Sequence, residues 1–213
     1  KGLELSLNAV AVNNKSFNWN LSGNISFNRN KIISLGGGVQ EQFATRINTN
    51  GDQPFIQKVG QPIGALYGYV EQDIYKNEAE VRSDPVMAGQ PDAIIARTVG
   101  EIRYKDLDHD GAITPKDQTL IGNVNPKFTF GLTNNFTYKD FDMNILIQGV
   151  YGNDIINMNT YYLSNIGGFN NVTEKMWNDR WTFDNWENAK GPKPEQQYWR
   201  AFKFTRRFVE DGS

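Results

Sequence analysis

Four stretches of the chain alternate apolar and polar residues one by one. In GLELSLNAVAV, Leu3, Leu5, Leu7, Ala9 and Ala11 share one parity, with Glu4, Ser6 and Asn8 on the other. Across the short polar turn NNKS, Phe17, Trp19, Leu21, Ile25 and Phe27 alternate with Asn18, Asn20, Ser22, Asn24, Ser26 and Asn28. In PKFTFGLTNNFTY, Phe128, Phe130, Leu132, Phe136 and Tyr138 oppose Thr129, Gly131, Thr133, Asn135 and Thr137. After the turn YKDF, Phe141, Met143, Ile145, Ile147 and Tyr151 oppose Asp142, Asn144 and Gln148. Side chains of an extended chain point alternately to opposite faces, so each stretch predicts a strand with one greasy and one polar side. The short turns join them into two antiparallel hairpins. Leu146 and Val150 interrupt the last polar face, as partial contact with something packed inside would require.

Two architectures fit this alternation. One is a soluble antiparallel sandwich with a solvated face. The other is a membrane β-barrel, with lipid on one side and a wet lumen on the other. Three details favour the barrel. The polar faces hold Asn, Ser, Thr, Gly and Gln with few Lys or Glu, whereas a water-facing sheet recruits long charged side chains. Aromatic residues sit near strand ends (Phe17, Trp19, Phe128, Tyr138, Phe141, Tyr151), as in interfacial girdles. The connections also alternate between very short and very long, the layout of outer-membrane barrels. The expected fold class is therefore all-β, part of a large antiparallel transmembrane barrel with long extracellular loops that carry short helices. The expected layout is a hairpin over 2–35, a long loop region over 36–126, a hairpin over 127–151, a long loop over 152–206 and the start of a next strand over 207–213. Within the long spans, Gly36-Gly37-Gly38 reads as a flexible turn and Asn77 to Arg82 as a helix. VTEKMWNDRW reads as another short helix, capped by Asn171 or Thr173.

Composition narrows the function. The 213 residues carry 38% apolar residues and a formal net charge of −2. That balance favours neither disorder nor nucleic-acid binding. Cysteine is absent, which removes disulfide frameworks, thiolate metal sites and cysteine nucleophiles. No apolar run reaches the roughly 18 residues of a spanning helix, a test that barrel strands of about 9–11 residues escape.

The most specific chemical motif is DLDHDGAITPKD, from Asp106 to Asp117. Carboxylates at loop positions 1, 3, 5 and 12 (Asp106, Asp108, Asp110, Asp117) and glycine at 6 match the calcium-loop template, with the carbonyl of Ala112 as the position-7 ligand. The template prefers Glu at position 12, so the shorter arm of Asp117 weakens bidentate capture and Ca²⁺ selectivity over Mg²⁺. The expectation is a metal staple ordering a long loop; the alternative is an Asp-rich turn that binds nothing. The flanks YK and QTLIG look extended, which argues against a helix-opening sensor. His109, the only histidine, sits at the non-liganding position 4 and has no partner for a zinc site. Acidic pairs such as Glu78 with Glu80 have nothing placing them across a bond, so no enzyme and no organic cofactor is expected. Trp177, Trp181, Trp186 and Trp199 lie among Asn, Asp and Arg in the tail. Such aromatic faces suit sugar rings or a partner protein; the alternative is that they pack the loop's own small core. Trp177, Trp181 and Trp186 are the candidate substrate or partner contacts.

From Gly100 to Asn157, GEIRYKDLDHDGAITPKDQTLIGNVNPKFTFGLTNNFTYKDFDMNILIQGVYGNDIIN closely resembles the C-terminal barrel region of the SusC/RagA family of TonB-dependent outer-membrane transporters. VGQPIGALYGYVEQDIY, NDRWTFDN and the closing RFVEDGS look like further signature stretches, so the resemblance covers most of the chain. It implies a barrel of about 22 strands with a plugged lumen, a SusD-like lipoprotein lid, import of glycans or peptides powered through TonB, and the outer membrane of a Gram-negative bacterium. By the same analogy the turns NNKS and YKDF would be periplasmic and the long loops extracellular. The family's plug, TonB-contacting segment and remaining strands are not among these residues. The competing function is a soluble carbohydrate-binding or adhesin module with a Ca²⁺-stapled loop.

Overall fold

In the computed structural model the described residues are 1–44, 53–164, 171–194 and 203–213. Four long strands make one antiparallel sheet: β1 (Gly2–Asn13), β2 (Phe17–Asn28), β9 (Phe128–Tyr138) and β10 (Phe141–Tyr151), in the order β1-β2-β9-β10. The two hairpins thus lie side by side, and β2 pairs antiparallel with β9. Both turns are built by local chemistry. Asn14 Oδ1 accepts the backbone N–H of Ser16 at 3.1 Å and of Phe17 at 2.8 Å, which closes the first turn. Lys139 takes φ 52° to close the second.

The register puts whole rows of like residues on each face. Leu5, Ile25, Phe130 and Gly149 form one apolar row, and Leu7, Gly23, Leu132 and Ile147 the next. Ser6, Asn24, Gly131 and Gln148 form a polar row between them. One correction concerns Ala11, read by parity as part of the apolar face. The register slips between Val10, opposite Asn20, and Val12, opposite Trp19. Ala11 is the extra residue of a β-bulge, and Val12 takes its place on the apolar side.

Among the described residues no second layer covers this sheet. Leu7 is 66% exposed and Phe141 78%, and Trp19 and Leu21 are only half-buried. A sandwich would bury one of the two faces. The arrangement is that of an open portion of barrel wall.

The remaining strands and α-helices gather at the end of the sheet opposite the two turns. They are β3 (Glu41–Phe43), β4 (Ile56–Lys58), β5 (Ala65–Gly68), β6 (Glu71–Ile74), α1 (Glu78–Ser83), α2 (Asp92–Thr98), β7 (Ile102–Tyr104), β8 (Thr119–Asn123), β11 (Asp154–Ile156), α3 (Met158–Leu163), α4 (Glu174–Asp179) and β12 (Val209–Asp211). The strands pair two by two, β3 with β4, β5 with β8, β6 with β7 and β11 with β12. Helix α1 is capped by Asn77 and α4 by Thr173, whose side chains accept the N–H of Glu80 and Met176. Both caps satisfy otherwise orphaned first-turn donors.

The two long excursions do not behave as separate loops. Leu66, Tyr69, Ile74, Ile102 and Tyr104 from the first share one buried cluster with Tyr161, Trp181, Phe204, Phe208 and Val209 from the second. Arg207 clasps Glu71 with Nε at 3.0 Å and Nη2 at 2.5 Å, and Thr205 Oγ1 donates to the same carboxylate at 2.6 Å. Arg206 Nη1 bridges Asp154 Oδ1 and the carbonyl of Ile121, both at 2.7 Å. The excursions therefore form one body with its own core, seated on the end of the sheet.

Candidate functional site

The largest functional surface is the sheet itself, and its two faces are held by different chemistry. On the apolar face aromatic rings cluster at both ends of the strands. Trp19 and Phe136 stack at 5.6 Å near the turns, while Phe128 stacks on Tyr151 at 5.1 Å at the other end. Lysines cap both bands, Lys139 over Tyr138 at 5.3 Å and Lys127 over Tyr151 at 5.7 Å. From Phe128 to Tyr138 a strand rises about 34 Å, which at the tilt of a membrane barrel covers about 25 Å of depth, the height of the apolar band. Asn134 is the one polar side chain in the middle of this face, in the row of Leu21 and Ile145. Trp19 Nε1 donates to its Oδ1 at 3.2 Å, so the amide is not left bare.

The opposite face is laced by short polar contacts. Ser22 Oγ donates to Asn8 Oδ1, Asn144 Nδ2 to Asn135 Oδ1 at 2.5 Å, and Thr137 Oγ1 to Asp142 Oδ1 at 2.7 Å. These pairs organise a wet face rich in amides and hydroxyls, on which Glu4 and Asp142 carry charge. Where β2, β9 and β10 reach the outer body, the same face opens into a cavity of about 640 Å³ lined by Asn28, Asn125, Lys127 and Asn153 among others. Asn125, from the NPKF stretch, ties its frame together. It accepts from Asn30 Nδ2 at 3.0 Å, and its own Nδ2 donates to the carbonyl of Ile63 at 2.5 Å.

The Asp-rich loop is folded as a compact turn. Asp106 accepts the N–H of His109 at 2.7 Å and of Gly111 at 2.9 Å, one on each oxygen. His109 and Gly111 both take positive φ, which sharpens the bend. Asp117 is fully buried and accepts the N–H of Leu107 and Thr114, both at 2.7 Å. Burial pushes its carboxyl upward, but those backbone donors outweigh it and hold the group below the ordinary carboxylate value. Carboxylate oxygens of Asp106, Asp108 and Asp117 lie within 4.8 Å of one another. Asp110 does not join them; its Oδ1 accepts the N–H of Ala112 at 3.0 Å. Three hard oxygen donors suit a divalent cation, though the set falls short of the full template. The flanks are extended, as β7 and β8.

The tryptophans divide. Trp181, expected among the substrate or partner contacts, is instead a core residue, 8% exposed. Its Nε1 donates to the carbonyl of Lys76 at 3.3 Å, and it packs against Gly100, where a Cβ would come within 2.9 Å of the indole. Trp177 and Trp186 remain at the surface, with Arg180 stacked on the Trp177 ring at 3.6 Å. Trp199 lies outside the described residues.

Sequence reasoning missed the junction cavity and the shared core, since neither leaves a periodic signal. The one clue was the cluster of Asn residues around Asn28–Asn30 and Asn123–Asn125.

No family model matches the chain. It is 33% identical over its whole length to TonB-dependent receptor P3 of Formosa agariphila, of which it spans 20%. It is 27% identical to TonB-dependent receptor SusC of Bacteroides thetaiotaomicron over 71% of the chain and 14% of that protein. Among solved structures, the RagAB peptide importer in its closed-closed state aligns over 99% of the chain and 21% of its own, with a TM-score of 0.69 and 22% identity. The chain thus spans about a fifth of the length of these receptors.

Proposed function

The chain belongs to the barrel region of the TonB-dependent receptors of the SusC/RagA type, and from that premise we propose that the whole protein imports a polar nutrient, glycan or peptide, across the outer membrane of a Gram-negative bacterium. In this reading a SusD-like surface lipoprotein closes over the outer body, and TonB supplies energy through parts of the polypeptide beyond these residues. The relatives are receptors and transporters, so the protein is read as a transporter and not an enzyme. The observation that carries the reading is the uncovered sheet. Its Leu, Ile and Phe rows suit hydrocarbon, and its Asn, Ser and Thr rows suit a wet lumen. The turns of Asn14 and Lys139 then face the periplasm, and the outer body faces the medium.

Two finer roles follow. The turn of Asp106, Asp108 and Asp117 holds Ca²⁺, or Mg²⁺ given the short Asp117 arm, as a staple for the outer body, with Asp110 and the Ala112 carbonyl completing the shell if the turn tightens. The exposed faces of Trp177 and Trp186 meet the lipoprotein or the substrate. Growth and labelled-substrate uptake by cells carrying the full-length receptor, with and without functional TonB, tests the main reading. Uptake lost without TonB is expected. Recovery of the full-length receptor as a soluble monomer in detergent-free buffer would overturn it.

A further inference from the structure

Residues 180–191 close on themselves as an Ω-loop, a compact surface loop whose ends meet. Arg180 and Gly191 form an isolated bridge, Trp181 N–H donates to the Gly191 carbonyl at 2.9 Å, and Gly191 N–H donates to that of Asp179 at 2.9 Å. Asn185 sets the turn inside: its N–H donates to Thr182 Oγ1 at 3.1 Å, and its Nδ2 to the carbonyls of Asn178 and Arg180, both at 3.4 Å. The loop is seated on the α1–α2 part of the first excursion, not on the sheet. Trp181 Nε1 donates to the Lys76 carbonyl, Lys76 Nζ to the Ala189 carbonyl at 2.9 Å, and Lys193 N–H to the Gly100 carbonyl at 2.8 Å. At the tip of this anchored loop Phe183 is 86% exposed, more than any other large apolar side chain among the described residues. Its ring packs edge-on against the buried Trp181 indole, with centroids 5.1 Å apart. Trp186 of the same turn is exposed beside it in sequence.

Resting on the reading above that a surface lipoprotein closes over the outer body, we propose that Phe183 is the anchor of that contact: it inserts into an apolar pocket of the lipoprotein whose rim carries Lys or Arg. Shape separates this partner from a substrate. Small ligands bind in concave clefts, and no residue from 180 to 189 lines the junction cavity or the groove of about 630 Å³ between α3 and α4. A ring projecting from a turn fits a pocket on another protein. Charge sets the rim. The charged side chains of the tip, residues 182–188, are Asp184 and Glu187; both are exposed, and neither forms an ion pair among the described residues. Arg180, stacked on Trp177, and Lys190 sit at the base of the loop. An anionic collar around an apolar knob matches a cationic rim around an apolar socket: the charges steer the encounter, and the buried ring holds the complex. The same collar argues against a lipid surface, where Lys and Arg flank the inserted aromatics. Trp181 and Asn185 already fix the support of the ring, so little freedom is lost on docking.

The test uses the purified full-length receptor and its SusD-like lipoprotein, purified separately, with association and dissociation rates read by biolayer kinetics. Phe183→Ala should weaken the complex about thirtyfold, the scale of an interface hot spot, mostly through faster dissociation. Phe183→Leu, which keeps part of the apolar bulk, should weaken it less. Asp184→Lys combined with Glu187→Lys should slow association and reverse its dependence on salt. All three should melt like the wild type, since the side chains they change are exposed. Unchanged affinity in Phe183→Ala would overturn the inference. So would weaker binding of oligopeptides or oligosaccharides to that variant in the absence of the lipoprotein, which would make the ring a substrate contact. Dissociation of a receptor dimer by Phe183→Ala would also overturn it, by seating the ring in a second copy. Unchanged lipoprotein affinity with TonB-dependent uptake intact would leave the import reading standing, so the two fail separately.

Discussion

The sheet and the outer body come from one chain yet obey opposite rules. In the sheet, strands of eleven and twelve residues expose both faces, and Leu3, Leu5 and Leu7 are more than half exposed. In the body, short strands and the turns between them bury aromatics almost completely: Tyr67 and Tyr104 in strands are 7% and 8% exposed, and Phe208 and Phe204, outside the strands, 0% and 1%. Water drives the second arrangement by expelling apolar surface. It would penalise the first, which becomes stable only where hydrocarbon wets the apolar face and every strand edge is paired. On the import reading, the difference marks the membrane boundary: lipid surrounds the sheet and stops where the core of the body begins.

The strongest test of that boundary removes packing on one side of it. Phe208→Ala opens the shared core against Tyr161, whose ring lies 5.1 Å away, and Phe204, and should cost the body about 3–5 kcal/mol. Limited proteolysis of the full-length receptor in vesicles should then cut both excursions while the barrel stays folded. If only one excursion became sensitive, the two would not share a core.

The next test works on adjacent residues with opposite facing. Ile145→Arg places a charge near the middle of the apolar face and should destabilise the receptor in lipid by about 2–4 kcal/mol. Leu146→Arg, one residue on, points to the lumen and should cost far less. Refolding equilibria in vesicles read both, and equal penalties would refute the assignment of the faces.

That contrast also explains what the sequence made legible. Alternation sustained over ten or more residues fixes both strand and face, so the hairpins and their polar rows could be read directly. The bulge at Ala11 could not, since a single inserted residue leaves composition unchanged. The body offers no such signal: its strands are too short to show a period, and its core joins residues such as Leu66 and Phe208 that are distant in sequence. Spacing left Trp181 open between a partner contact and the loop's own core, because its burial depends on Gly100 leaving room, a fact of tertiary contact. In the Asp-rich loop the spacing gave the turn, and the grouping of Asp106, Asp108 and Asp117 was partly readable. That Asp110 turns away to cap Ala112 was not.

A smaller effect concerns acidity. Because Asp117 is held below its ordinary value when folded, its stabilising contribution is complete above the unfolded carboxylate value of about 3.8. It is lost as pH falls from there through the lower folded value. Acid should therefore loosen the loop around Asp117 before it affects the sheet, whose polar face relies mainly on amides and hydroxyls. Asp117→Asn should flatten this pH dependence. It should also cost about 1–3 kcal/mol at neutral pH, since an amide can accept only one of the two backbone N–H groups. Hydrogen exchange at Leu107 and Thr114 across the acid range would follow it, and identical profiles in wild type and variant would count against the buried carboxylate as the cause.

The smallest expected effect probes the sheet at its least typical point. Asn134 faces the membrane core among Leu21 and Ile145, where an unpartnered amide is expensive, and its acceptor is met by the indole N–H of Trp19. Trp19→Phe keeps the aromatic band but removes the donor, and should cost about 1 kcal/mol. Asn134→Leu removes the need for the donor and should be neutral or mildly stabilising in lipid. If the two act through this bond, Trp19→Phe in the Asn134→Leu background should cost less than in the wild type by most of that amount, a coupling that a double-mutant cycle of vesicle refolding can resolve. Additive effects would mean that water, and not Trp19, satisfies Asn134, and the apolar face would then be wetter at its centre than the rows of Leu, Ile and Phe imply.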